Sequence, residues 1–109
     1  MTKQTELAWA AGFFDGEGSS CKPAKHLPNS TRMIISQRER TTLDRFHDAV
    51  GVGGVLGPYR DHSAFSGKPY WVWIVSAFDD VQTAALRLWP YLSDPKRAQI
   101  VRVGILEEV

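Results

Sequence analysis

The sequence predicts an α+β fold in which helices cover one face of a four-stranded antiparallel sheet. Three observations predict it. Apolar spacing alternates between a period of two and a helical rhythm in the order helix, strand, strand, helix, strand, strand, helix, helix. The strands come in two hairpin-like pairs, each separated from the next helix by Gly, Pro or polar residues. With 109 residues, 43% of them hydrophobic, the chain suits one domain spanning 1–109 with a modest core.

Each element has its own justification. Gln4 to Phe14 reads as a helix with Thr5 as a cap. Gly18 to about His26 reads as a strand that Pro23 confines to an edge or bulge. Leu27 to Thr31 is a loop, and Arg32 to Arg38, built on Met33-Ile34-Ile35, is the second strand. Thr41 or Thr42 caps a helix carrying Leu43, Phe46, Ala49 and Val50 on one side, which Gly51 ends. Val52 to Tyr59 is a Gly-rich third strand, and Asp61 to Lys68 a polar loop. Pro69 to Ala77 is the strongest strand, with Trp71, Trp73 and Val75 alternating against Val72, Ile74 and Ser76. Asp79 or Asp80 opens a helix to about Leu88, Pro90 interrupts, and Asp94-Pro95 starts the last helix. The Trp pair belongs to the core face. The opposite face is expected to be open and to carry the basic side chains.

Net charge is only +1, but it is unevenly spread. Residues 20–70 hold eight Lys or Arg against four acids, a net of +4, while the flanking segments are mildly acidic. A basic middle is a mild form of the footprint left by nucleic-acid binding. Cys21 is alone, so no intrachain disulfide forms and a cytoplasmic setting is expected. Leu7 to Phe14 is too short to span a membrane and has no signal-peptide character, so no membrane partner is expected. His26, His47 and His62 lack ligand spacing, which argues against zinc. Val50 to Val55 follows a helix and lacks a Lys-Ser/Thr ending, so its glycines are structural rather than phosphate-binding.

The most informative stretch is Ala10 to Gly18, Ala-Ala-Gly-Phe-Phe-Asp-Gly-Glu-Gly. Ala8, Gly12 and Gly16 recur every four residues and form a smooth helical ridge that lets a second helix approach closely. Asp15 and Glu17 fall at the helix end, beside unpaired carbonyls and the negative pole of the dipole. A divalent cation offsets that clustering of negative charge. With a single such motif, two copies of Glu17 come together only by pairing with a symmetry mate, since an isologous interface presents every residue twice.

This stretch resembles the signature of the LAGLIDADG homing endonucleases, position by position from Ala10 to Gly18, in a version associated with bacterial or phage members. The resemblance implies a homodimer that hydrolyses both strands of double-stranded DNA at a long pseudo-palindromic site, with Mg²⁺ or another divalent cation. It places the metal at Glu17 and Gly16 and the dimer interface at Ala8, Ala11, Gly12 and Asp15, with Asp15 serving structure more than catalysis. Gln37 resembles the polar residue near the attacking water, and Arg40, then Arg38, the basic residue that follows; Glu39 between them departs from the pattern. Pro90-Tyr91-Leu92 with Lys96 to Gln99 resembles the segment bearing a catalytic Lys, which falls on Lys96 with one inserted residue, or else on Arg97. DNA contact is expected from Lys22, Lys25, Arg32, Ser36, Arg38, Arg60, His62 and Lys68, whose side chains suit phosphates and base edges. The rival reading keeps the fold without catalysis, as a DNA- or RNA-binding regulator or maturase.

Overall fold

The computed structural model describes residues 2–60 and 67–107. Helix α1 (Lys3–Glu17) starts from Thr2, whose hydroxyl accepts the Thr5 amide, so the cap lies ahead of the expected Thr5. The helix does not stop at Phe14. Asp15-Gly16-Glu17 forms its last turn, and the chain leaves it at Gly18 in extended backbone. Gly18 is required there: a Cβ at this position would overlap the Phe14 ring.

The strands are β1 (Gly18–Cys21), β2 (Arg32–Gln37), β3 (Gly54–Arg60) and β4 (Pro69–Val75). They form one sheet in the order β1-β2-β4-β3, every pair antiparallel. β1 stops at Cys21 rather than near His26. Pro23 has no amide hydrogen to offer a ladder, and the chain instead folds into turns held by Leu27 N–H to the Ala24 carbonyl and Ala24 N–H to Ser30 Oγ. β3 begins at Gly54 rather than Val52, and its pairing shifts register between Leu56 and Tyr59, around Pro58. That irregularity is tolerated because β3 is an edge strand. β4 ends at Val75, two residues before the expected Ala77.

Helix α2 (Arg40–Val50) follows Glu39 directly, so Thr41 and Thr42 lie inside its first turn instead of capping it, while Gly51 closes it in the left-handed conformation at φ 83°. Helix α3 (Phe78–Leu88) gives way to a 3-10 turn, η1 (Trp89–Tyr91), where Pro90 interrupts. Helix α4 (Asp94–Arg102) carries Pro95 in its first turn.

All four helices lie on one side of the sheet. Met33, Ile35, Trp73 and Val75 point into that side and are buried with Ala10, Ala11, Phe14, Leu43, Phe46, Val81, Leu88 and Ile100. Phe46 is the hub: it meets the Trp73 ring edge-on at 4.7 Å and the Phe14 ring at 6.4 Å. Trp73 Nε1 donates to the Val52 carbonyl at 3.1 Å, so the indole is buried without an orphaned donor. Between α1 and α2, Arg45 grips Glu6 with two hydrogen bonds of 2.9 and 3.1 Å and lies 3.8 Å over the Trp9 ring. Those hydrogen bonds hold the Glu6 carboxyl below its ordinary range.

Candidate active site and nucleic-acid interface

Glu17 stands exposed at the end of α1, and Gln37 stands beside it at the end of β2, with Nε2 donating to Glu17 Oε2 at 3.2 Å. The meeting follows from register. β1 leaves α1 without a linker and pairs Gly18 with Ile35, so the residue two further along β2 arrives next to the last helical residue. Gly16 adds an oxygen. Its carbonyl would be answered in a continuing helix by the Ser20 amide, but that amide donates to Gln99 Oε1 at 2.9 Å. An open depression of about 440 Å³ adjoins the pair, lined by Ser36, Gln37, Arg38 and Tyr70.

The surrounding side chains fix this rim from the far end of the sequence. Lys96 reaches back from α4 to the Gly18 carbonyl, Nζ to O 2.5 Å, directly behind Glu17. Cations at a helix C-terminus offset its dipole. Arg97 turns away instead, donating to the carbonyls of Trp89 and Pro90. Asp15 is taken up within the chain: its carboxylate accepts the Ser93 amide at 3.1 Å and the Ser93 hydroxyl at 2.9 Å. Arg40 ion-pairs with Asp44 on its own helix at 3.6 Å, and Arg38 donates to the Lys68 carbonyl at 2.8 Å. Neither Arg is drawn to Glu17. Sequence reasoning missed Ser93 and Gln99, though a Ser before Asp94-Pro95 is a recognisable helix start.

On α1, Ala8, Gly12 and Gly16 are exposed in a row, whereas Ala10, Ala11 and Phe14 are buried. Ala11 therefore belongs to this chain's own core and is removed from the expected dimer surface. At about 100° per residue it lies about 60° from Phe14 and about 60° from Ala8, at the edge where the ridge meets the core. A Cβ placed on Gly12 or Gly16 meets nothing within 4 Å. Glycine inside a helix costs roughly 0.5–1 kcal/mol relative to Ala, and nothing in this chain requires either one.

The open face of the sheet differs from the expectation of a basic surface. Its centre is aliphatic: Ile34 sits opposite Ile74, and Val72 opposite Leu56, with Leu56 49% exposed. Ser19 and Ser36 lie in the same rows. The basic residues stand at the two ends. Arg32, which donates to Cys21 Sγ at 3.2 Å, shares one end with Lys22 and Lys25 of the following turn. Arg38, Arg60 and Lys68 occupy the other, with Arg60 donating to the Gly67 carbonyl. His62 lies outside the described residues. Among the described residues no three His, Cys, Asp or Glu side chains cluster as a metal site, and no helix is long and apolar enough to cross a membrane.

No family model and no curated protein matches the chain. Solved structures do. The homing endonuclease I-CvuI, in complex with its target in the presence of 2 mM Ca, is 24% identical with a TM-score of 0.66, covering 94% of this chain and 65% of that one. The archaeal intron-encoded homing endonuclease I-Vdi141I, complexed with DNA, is 17% identical with a TM-score of 0.65 over 92% of this chain and 65% of its own. The LAGLIDADG meganuclease I-CpaMI, bound to uncleaved DNA, is 19% identical with a TM-score of 0.60, over 85% of this chain and 32% of its own. The chain has the LAGLIDADG homing endonuclease fold. It spans about 65% of the length of I-CvuI and I-Vdi141I.

Proposed function

We propose that this chain is one subunit of a homodimeric, divalent-metal-dependent, site-specific endonuclease acting on double-stranded DNA. The observation that carries the reading is on α1: an exposed carboxylate, Glu17, ends a helix whose outer side is a bare Ala8-Gly12-Gly16 ridge. A twofold axis along that ridge would set two copies of Glu17 over one duplex. The paired acids then serve the two strands.

The donor set suits a hard cation, which takes oxygen ligands and retains waters. Glu17 and the Gly16 carbonyl of each copy would hold it. Once bound, the ion supplies charge stabilisation to a phosphodiester oxygen and lowers the pKa of a water. Gln37, already hydrogen-bonded to Glu17, fixes the direction of that carboxylate and can orient water with its remaining amide hydrogen. Lys96 contributes positive charge beside the forming dianionic phosphate. The basic ends of the sheet hold the backbone of the duplex.

The test is a nicking and cleavage assay with Mg²⁺ on a random-sequence duplex library, run in parallel with a binding selection. Wild type should cut what it binds, and Glu17→Gln should lose cleavage by at least about a hundredfold while binding the same duplexes. Binding by both proteins with cleavage by neither would overturn the enzymatic part.

A further inference from the structure

The open sheet face is polar at its ends and greasy in the middle, the reverse of what an ordinary solvated sheet face requires. A one-sided antiparallel sheet alternates hydrophobic inward with polar outward. Here Ile34, Ile74, Val72 and Leu56 all point outward, in adjoining cross-strand pairs. Their alternates Met33, Ile35, Trp73 and Val75 already fill the core, so the outward set adds nothing to it. A contiguous aliphatic patch left on a surface marks a contact. Its flanks narrow the choice of partner. Lys22, Lys25 and Arg32 border it at one end, and Arg38, Arg60 and Lys68 at the other. From Arg32 to Arg38 a strand runs about 20 Å at about 3.3 Å per residue. Two cationic borders that far apart straddle a major groove about 12 Å wide, within reach of the phosphate backbones on its two sides.

We infer that the aliphatic centre of this face reads thymine C5-methyl groups in the major groove, making thymine content the dominant base signal of each half-site. The inference rests on the DNA-binding reading above and specifies what that binding recognises. The thymine methyl is the one apolar group that the major-groove edge offers, and Ile, Val and Leu have no donor or acceptor with which to read anything else. Ser19 and Ser36 are the hydroxyls interleaved with the aliphatics, and hydroxyls discriminate weakly among bases. Arg32 and the other cations supply affinity and placement along the duplex.

The full chain is used to select duplexes from a random library, and the best-bound duplex is resynthesised with deoxyuridine in place of thymidine. That change removes only methyl groups and keeps every base pair. The wild-type chain should bind the uracil duplex about fourfold more weakly for each methyl it buries. An Ile34→Ser/Ile74→Ser double variant, which removes the aliphatic side-chain atoms, should lose this discrimination. Equal affinity of the wild type for the two duplexes overturns the inference while leaving DNA binding intact. Failure to enrich any duplex overturns the DNA-binding reading and this inference with it. Self-association of the chain that the double variant abolishes would also overturn it, by assigning the patch to a second copy.

Discussion

Asp15 and Glu17 are two residues apart on one helix, yet their surroundings divide them completely. Asp15 accepts two hydrogen bonds from Ser93, while Glu17 faces solvent, with Gln37 its one hydrogen-bond partner among the described residues. A carboxylate has about four acceptor sites, so Asp15 has given roughly half of its capacity to Ser93 and Glu17 about a quarter to Gln37, which leaves Glu17 the freer of the two for a cation. Asp15→Ala should therefore act on stability rather than chemistry. Loss of a charge-assisted pair at a partly exposed site costs about 1 kcal/mol, which for a domain of this size lowers Tm by roughly 4–8 °C. Thermal unfolding measures it, and an unchanged Tm would show that the Ser93 contact contributes nothing. Gln37 stood out only through the family resemblance, whereas Glu17 was legible in the sequence from the acidic helix end. The Asp15–Ser93 contact was not, because the partners lie 78 residues apart and no local periodicity encodes a tertiary pairing.

At the scale of elements, α1 is the unusual one, apolar on the side facing its own sheet and small on the side facing out. A helix apolar all round is built to be covered all round. The four-residue spacing of Ala8, Gly12 and Gly16 revealed the outer ridge in advance, but the width of the ridge needed the structure, which withdrew Ala11 to the core. Two substitutions at one position separate the helix's own stability from its association. Gly12→Ala should raise the thermal stability of the monomeric chain by up to about 1 kcal/mol, since Ala is the better helix former and has room. Gly12→Leu should leave helix content by circular dichroism unchanged and convert a dimer to monomers in sedimentation. A Leu variant that stays dimeric would remove α1 from the interface. Strand ends were less legible than helices. β1 is short because Pro23 ends it, and the turns beyond it depend on the Ser30 hydroxyl, a side-chain contact that hydropathy does not register.

For the whole molecule, the decisive feature is where charge sits relative to grease. A net charge of +1 conceals two basic borders separated by an aliphatic field. The sequence showed the basic excess of the middle segment, but which side chains share the open face followed only from strand register. Salt should weaken DNA binding steeply and linearly on logarithmic axes, by about 0.9 in slope for each phosphate neutralised. Lys22→Gln combined with Lys25→Gln should lower that slope by about four in a symmetric pair of chains, with sequence preference kept. An unaltered slope would move the phosphate contacts elsewhere on the surface.

Helix α4 ties these scales together. Ser93, Lys96 and Gln99 stand on one short segment, and they fasten Asp15, the Gly18 carbonyl and the Ser20 amide in turn. A segment 78 residues further along the chain thus immobilises the acidic tip of α1. A chain cut before Ser93 would lose all three fastenings, and the turn that carries Glu17 should then exchange its amide hydrogens faster than in the intact chain.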